Sequence, residues 1–145
     1  MPHRKPMLSC SDHEKLLHFI EDESVAFIAD TRNVEMLRRR LDTALVVPKE
    51  RLPDSAVRLN CQVTLLDVST EDADLFTLVD PTAADIARGK LSTLSPLGLA
   101  ILGRHQGQTV RVNVPSGTRT VRIDCVGHQC KPKAMSTTVG SVAGP

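Results

Sequence analysis

The chain has 145 residues, of which 41% are hydrophobic and 24% charged, and its formal net charge is +1. This composition is typical of one compact domain, or of a small domain with an appendage, and the near-zero charge argues against bulk phosphate binding. No apolar run is long enough to span a bilayer, and the basic start lacks the apolar segment of a secretory signal, so we expect a cytoplasmic protein without membrane contact.

The N-terminal residues predict a loose segment followed by a helix. Residues 1–11 carry two prolines and no periodicity, so we expect them to be irregular. Ser11 can cap a helix, and Glu14 lies three residues further on, as in a capping box. With apolar residues at helical spacing behind them, these two residues predict a first helix over about residues 12–22.

A second amphipathic helix is predicted before Pro48, which should end it. Its apolar residues recur every three or four positions, and three consecutive arginines lie on the other face. The apolar stripe consists of Val34, Leu37, Leu41, Ala44 and Leu45. Because two amphipathic helices with a short connection usually pair antiparallel, we predict a short helical hairpin over residues 12–47, whose longer arm spans only ~21 Å.

Alternating apolar and polar residues predict a sheet after a linker over residues 48–56. From Val57 to Leu65 the alternation has a period of two, which indicates a strand with one buried face. Further extended segments are predicted at residues 75–79, 91–94, 110–114 and 121–125. A Pro-Ser-Gly sequence at residues 115–117 predicts a hairpin turn between the last two strands.

Two helices are predicted within the sheet region. A short helix over residues 83–88 should stop at Gly89. The second is the best specified element of the chain, with Ser95 as N-cap, Pro96 at the first helical position and Gly103 after the last apolar residue. The body of this helix is almost entirely apolar, so we expect it to be buried.

The predicted fold is therefore α+β in two parts. The short antiparallel helical hairpin comes first, and an antiparallel sheet with a buried helix follows over residues 57–130. Residues 131–145 are aperiodic and rich in small residues, so we predict a disordered tail.

Charged residues are segregated along the chain. From Asp67 to Asp85 there are six acids and no Lys or Arg, whereas from Arg88 to Lys133 there are eight bases and one acid. Segregation favours a charged macromolecular partner, although two solvated faces of one domain would give the same pattern. Weak nucleic-acid contact through the basic region or the arginines at residues 38–40 is an alternative, but an arginine run on a helix usually faces solvent.

No motif for catalysis is found in the sequence. It contains no nucleophile elbow, P-loop, dinucleotide fingerprint or HExxH motif. Ser95 is explained by its capping role rather than as a nucleophile. We therefore expect a binding protein rather than an enzyme, with no catalytic residue, no cofactor and no small-molecule substrate.

Two groups of residues could in principle hold a metal ion. Cys125, His128 and Cys130 resemble a zinc site, but their spacing is looser than a CxxC pair, and a buried strand cysteine followed by a tail cysteine is the simpler interpretation. An acidic group lies at the hairpin turn and could hold Mg²⁺, but a solvated helix end is the simpler interpretation. Its members are Glu21, Asp22, Glu23 and Asp30.

A long run of residues resembles the C-terminal domain of the bacterial GreA/GreB transcript-cleavage factors. It reads LVDP at residues 78–81, GKLSTLSPLGLAILG at 89–103 and GQTVRVNVPSG at 107–117. The family pattern is LVxP, then ISxxSPxGxALLG, then GD.V.V..P.G, and the resemblance covers about residues 57–126. It implies an FKBP-like fold that docks at the rim of the RNA polymerase secondary channel. The loop that would contact the polymerase contains Leu94, Ser95, Pro96, Leu97 and Gly98.

The N-terminal part distinguishes subgroups of this family. The acidic tip motif of the cleavage factors is absent, and the run from Leu37 to Val63 is similar to the Rnk subgroup, the regulators of nucleoside diphosphate kinase. Several cleavage factors have Asp where Leu94 stands, whereas Rnk-type chains have an apolar residue there. The resemblance implies a regulator that competes with GreA/GreB without cleaving RNA; the alternative is a genuine cleavage factor that uses the hairpin-tip acids.

Overall fold

A curled, mostly antiparallel sheet of five strands and a separate pair of short strands organise the structure, a computed structural model that describes residues 5–22, 31–127 and 130. The helices are α1 (Cys10–Ile20), α2 (Thr31–Thr43) and α3 (Pro96–Ile101). The strands are β1 (Met7–Ser9), β2 (Leu45–Val47), β3 (Gln62–Asp67), β4 (Ala73–Val79), β5 (Lys90–Ser92), β6 (Thr109–Val114) and β7 (Gly117–Val126). No helix among these residues is long and apolar enough to cross a membrane.

The five-stranded sheet has the order β5-β4-β3-β7-β6, and all neighbours are antiparallel except β4 and β5. Val114 pairs with Gly117 across a two-residue turn, which confirms the predicted hairpin. Helix α3 packs against β6, and its residues Leu99 and Ile101 are buried, as predicted. The sheet contributes Val63, Leu65, Leu78, Val112, Val121 and Ile123 to the same core. The fold is therefore α+β, with the core between this sheet face and α3.

The prediction of a loose N-terminus is wrong for the residues just before α1. Strand β1 pairs in parallel with β2, and Leu8 at its centre is fully buried. The Met7 amide also donates to the Gly103 carbonyl at 3.0 Å. The nearby prolines suggested irregular structure, and a strand of three residues has too few positions to show a period of two. Residues 1–4 lie outside the described residues.

Both N-terminal helices differ from their predicted bounds. Helix α1 begins at Cys10, and its N-cap is Ser9, whose hydroxyl accepts from the Asp12 amide at 3.1 Å; the predicted Ser11 cap is wrong. Helix α2 was expected to continue as far as Pro48, but it ends at Thr43. The residues before Pro48 form strand β2 instead. Leu45, the last residue of the predicted apolar stripe, therefore lies in β2, where it pairs with β1.

The residues predicted as a linker are partly buried. They include a single 3-10 turn at Lys49–Arg51, and both Leu52 and Ala56 are buried. The first long strand starts at Gln62 instead of residue 57, since Asn60 adopts a left-handed conformation with φ 64°, which interrupts regular strand geometry. Val57 and Leu59 are nevertheless buried, as predicted, although their backbone is irregular.

The predicted short helix over residues 83–88 is replaced by two 3-10 turns, Pro81–Ala83 and Ile86–Arg88. The Asp80 carboxylate caps the first turn by accepting from the Thr82 amide at 2.9 Å. Gly89 ends the second turn with φ 76°, as its predicted role requires. These turns carry the chain from β4 to the parallel strand β5.

Specific polar contacts join α1 to the segment before β3 and to α2. The Asp12 carboxylate on α1 accepts from the Leu59 amide at 3.1 Å. His13 Nε2 lies 3.0 Å from the Leu41 carbonyl, so the start of α1 lies beside the end of α2. Leu37 of α2 and Leu16 of α1 belong to the same buried cluster as the sheet residues. The residues between the helices, 23–30, lie outside the described residues.

Candidate docking loop and groove

The loop between β5 and α3 is held by hydrogen bonds within itself. The Ser95 hydroxyl donates to the Ser92 carbonyl at 2.7 Å and accepts from the Gly98 amide at 3.0 Å, which confirms Ser95 as the N-cap of α3. The Leu94 amide donates to the Ser92 hydroxyl at 2.9 Å. The Thr93 amide donates to the Val79 carbonyl at 3.0 Å and ties the loop to β4. The loop is therefore a fixed feature of the sheet edge.

Gly98 allows α3 to start this close to the loop. A Cβ at this position would lie 1.9 Å from the Ser92 carbonyl oxygen and 2.9 Å from its carbon. Both are far below normal van der Waals contact, so any side chain would push α3 away from β5. The glycine is required by close approach of two backbone segments and not by its own conformation.

The structure gives different exposures to the five residues that the family resemblance singled out. Pro96 is exposed, whereas Leu94, Ser95 and Leu97 are half-buried and Gly98 is buried. Pro96 is therefore the side chain most available to a partner, and Leu97 beside it at the first turn of α3 is partly exposed. Ser95 and Gly98 act on the shape of the loop.

An apolar groove lies beside this loop. Leu97 from α3 forms one part of its wall, and side chains from four strands of the sheet form the rest; its volume is about 230 Å³. The apolar lining from the strands consists of Leu65, Phe76, Val112, Val114 and Val121. Sequence reasoning did not predict this groove, because its walls come from strands that are distant in the chain. The alternation of Val110, Val112 and Val114 was the only available signal, and it also fits an ordinary core.

The rim of the groove is acidic. Asp67, Asp72 and Asp74, from the turn between β3 and β4 and its flanks, line it together with Arg119. Arg119 Nε donates to Asp67 Oδ2 at 2.5 Å, and a second guanidinium nitrogen also contacts this oxygen. The Arg119 bond, with the amides of Thr70 and Ser69, lowers the pKa of the Asp67 carboxyl. Three of the six acids in the acidic stretch therefore surround the apolar groove.

The hairpin-tip acids are only partly described. Glu21 and Asp22 follow the end of α1 and are exposed, while Glu23 and Asp30 lie outside the described residues. Among the residues that the structure describes, no three His, Cys, Asp or Glu side chains come together as metal ligands do.

Arginines 38 and 39 are exposed on α2, but Arg40 is half-buried. Burial, together with the positive charge of Arg104, lowers the pKa of Arg40 to about 10. Two of the three arginines in the run therefore face solvent, as expected for the outer side of an amphipathic helix. The third, Arg40, lies near Arg104 in the segment that follows α3.

Cys125 and Cys130 do not lie as the sequence suggested. Cys125 was expected on the core face of its strand, but it pairs with Thr64 and is half-buried, while the predicted tail residue Cys130 is buried. A register shift between Thr64 and Leu65 displaces the end of β7, which explains the difference. His128 lies outside the described residues.

Comparison with known proteins shows the family. The family description "Transcription elongation factor, GreA/GreB, C-term" matches residues 52–127, just over half of the chain. This range contains the whole five-stranded sheet, the docking loop and the groove. The chain belongs to the GreA/GreB family of transcription elongation factors.

Individual relatives agree with this assignment. The chain is similar to transcription elongation factor GreA of Hyphomonas neptunium, with 33% identity over 62% of this chain and 57% of that protein. GreA of Thermodesulfovibrio yellowstonii is 32% identical over 66% of this chain and 61% of that protein. The chain thus matches about three fifths of the length of these relatives. A solved GreA/GreB elongation factor from Nitrosomonas europaea matches 87% of this chain and all of its own, with a TM-score of 0.71 and 31% identity.

Proposed function

We propose that the protein binds bacterial RNA polymerase as a regulator of transcription elongation, and that it docks at the rim of the secondary channel through the loop at residues 94–98 and the adjoining groove. One observation carries this proposal. A self-bonded loop presents Pro96 and Leu97 next to a concave apolar surface within the part of the chain that defines the family. A preorganised loop loses little conformational freedom on binding, which favours affinity.

The chemistry of the groove indicates what it would contact. The apolar floor suits a leucine- or phenylalanine-sized side chain, and the acidic rim suits Lys or Arg around it. Arg119 already neutralises Asp67, so Asp74 is the rim acid that we assign to contact with a basic partner. We therefore expect a polymerase surface on which an apolar residue is flanked by positive charge.

The length of the helices supports a regulator of the Rnk type that does not promote RNA cleavage. Helices α1 and α2 contain 11 and 13 residues, so at 1.5 Å per residue they span only ~17–20 Å. An arm this short suits a protein that occupies the polymerase and competes with cleavage factors, acting in the cytoplasm and having no catalytic activity or cofactor of its own. The single helix packed on a curled sheet also supports the FKBP-like interpretation.

Binding to bacterial core RNA polymerase tests the docking surface. The Pro96→Ala/Leu97→Ala double variant should bind at least ~10-fold more weakly, because central apolar contacts dominate interface energies. Ile86→Ala is the matched control, since Ile86 is 65% exposed and lies outside the groove. Circular dichroism must show that all variants are folded. Equal affinities for a folded double variant and the control would contradict the assignment of the loop.

The rim gives a second test that leaves the core intact. Asp74→Lys reverses one exposed charge on the rim, so it should weaken polymerase binding, and the loss should shrink as salt is raised. Unchanged affinity at low salt would show that the acidic rim faces away from the polymerase.

Stalled elongation complexes separate the regulator from a cleavage factor. With GreA titrated in, the protein should compete for the polymerase and leave transcripts uncut. Shortened transcripts in the presence of the protein alone would instead favour the alternative, in which Glu21, Asp22, Glu23 or Asp30 delivers Mg²⁺. A variant with these acids replaced by Asn or Gln would then lose the activity.

A further inference from the structure

The segment at residues 6–9, immediately before α1, lies between β2 and the end of α3. On one side, the Met7 amide donates to the Gly103 carbonyl at 3.0 Å. On the other side, the Leu45 amide donates to the Pro6 carbonyl at 2.7 Å. This segment, which we call the strap, is therefore bonded both to the helical part of the chain and to the part that contains the sheet.

The strap joins the bases of the two N-terminal helices. It leads into α1 without an intervening residue, because Ser9 at its end is the N-cap of that helix. Its partner strand β2 starts at Leu45, two residues after α2 ends at Thr43. The parallel pairing of β1 with β2 thus fastens the start of α1 to the end of α2. Leu8, in the middle of the strap, is fully buried in the cluster that contains residues of both helices and of the sheet.

Gly103 contacts the strap just after the C-terminal end of α3. It has φ 78°, and a Cβ at this position would lie 2.8 Å from the Pro6 Cβ and 3.0 Å from the Met7 nitrogen. A side chain at residue 103 would therefore collide with the strap as well as strain its own backbone. The Gly103 amide also donates to the Val57 carbonyl at 3.3 Å, so this residue connects the strap to the segment before β3.

Helix α3 connects this attachment to the loop at residues 94–98. The Leu102 amide donates to the Gly98 carbonyl at 3.0 Å, and the Gly98 amide donates to the Ser95 hydroxyl at 3.0 Å. The helix has six residues, so its ends are only ~9 Å apart. The strap and the loop are thus attached to opposite ends of one short helix.

We propose that the strap is a releasable lock that holds α1 and α2 against the rest of the chain, and that these helices open together when it detaches. Helices of 11 and 13 residues are marginally stable in water by themselves, so they depend on packing. The Asp12 carboxylate also accepts from the Leu59 amide, but the Ser9 cap holds Asp12 in place, so this contact depends on the strap as well.

The lock has a consequence for the docking loop. While the strap is in place, the two helices keep one direction relative to the loop at residues 94–98, because α3 joins the two sites. Only the effect of this direction on polymerase binding rests on the proposed function. The opening of the helices is a property of the chain alone.

Hydrogen exchange of the full chain, measured by mass spectrometry of its peptides, tests the lock without polymerase. In Leu8→Ala, peptides from α1 and α2 should exchange at least ~10-fold faster, whereas peptides from β3 and β7 should stay within about 2-fold of the natural chain. Leu45→Ala is the matched control, because it makes the same substitution in the paired strand at a side chain that is 48% exposed. It should leave both groups of peptides within about 2-fold.

A second variant disrupts the same contact from the other side. Gly103→Ala should also open α1 and α2. The Leu8→Ala/Gly103→Ala double variant should exchange there no faster than the faster of the single variants, because a strap that has detached cannot be released again. Circular dichroism establishes that each variant is folded. If Leu8→Ala is not, Leu8→Val removes less volume and should show the same selective effect at a smaller size.

Three results would overturn the inference. One is unchanged exchange of α1 and α2 in folded Leu8→Ala. Another is equal acceleration of the helices and the sheet in Leu8→Val, which would show that the chain opens as one unit. The third is a double variant in which the two single effects multiply. Because polymerase is absent from these measurements, failure of the lock is observed separately from failure of the docking loop.

Discussion

Replacing Gly98 with alanine perturbs the docking loop at the point where the structure leaves no room. The added methyl group would lie 1.9 Å from the Ser92 carbonyl oxygen. Because the nearest atoms are backbone, no flexible side chain can move aside. Either α3 shifts away from β5 or the loop opens, and both changes break the hydrogen bonds that Ser95 makes to Ser92 and Gly98.

The cost can be assembled from the contacts. Overpacking a tight site costs ~1–3 kcal/mol, and each lost hydrogen bond costs ~1 kcal/mol. Alanine is a better helix former than glycine by ~1 kcal/mol, which offsets part of this loss. The expected decrease in the free energy of unfolding is therefore about 2–4 kcal/mol, and the midpoint of thermal unfolding should fall by ~6–12 °C for a chain of this size.

Urea unfolding of Gly98→Ala, followed by circular dichroism, measures this decrease directly. The control is Ala100→Gly in the same helix, which removes a methyl group that packs against the core and should cost about 1–2 kcal/mol from helix propensity and lost apolar burial. We also expect weaker polymerase binding by folded Gly98→Ala, since the loop that presents Pro96 and Leu97 is displaced. A stability equal to that of the natural chain would refute the reasoning, because it would mean that α3 does not approach Ser92 this closely.

Three further predictions concern single side chains. Ser9→Ala should lower the free energy of unfolding by ~1 kcal/mol through loss of the α1 cap, whereas Ser11→Ala should change it by less than ~0.5 kcal/mol; equal effects in urea unfolding would contradict the cap assignment. Thr93 is fully buried, and no hydrogen-bond partner for its hydroxyl is found among the described residues, so Thr93→Val should be neutral or stabilise the protein by ~1 kcal/mol, and a loss would show that the hydroxyl is satisfied. Because Arg119 lowers the pKa of Asp67, the stabilisation from this pair is complete above the ordinary Asp range near ~4 and is lost as pH falls through the lowered pKa. The difference in unfolding midpoint between the natural chain and Asp67→Asn should accordingly be largest near neutral pH and shrink in acid, and a difference independent of pH would exclude the ion pair as its cause.

Several local features were predicted from neighbouring residues alone. The N-cap at Ser95, the end of the second 3-10 turn at Gly89 and the two-residue hairpin after β6 are all as expected. Each depends on residues within about four positions of one another, and the chemistry of capping and turns acts over that distance. The buried or exposed sense of Val57 and Leu59 was also correct, although their backbone is irregular, because burial follows side-chain polarity more than strand geometry.

The failures have a different origin. Strand β1 forms only because β2, 38 residues further on, pairs with it, and the same pairing ends α2 earlier than Pro48 would. The register shift in β7 moves Cys125 from the expected core face to the opposite face. In each case a partner from a distant part of the chain overrides the local preference, as non-local sheet pairing often does.

The amino-acid sequence by itself determined the fold class, the position of the capped helix, the charge segregation and the family resemblance, because these depend on composition, short-range spacing and residue order. Only the tertiary structure placed Leu97 beside the apolar side chains of four strands and set the acids of the β3–β4 turn around them. Those juxtapositions depend on strand order and register, which are fixed by long-range pairing and not by any local pattern.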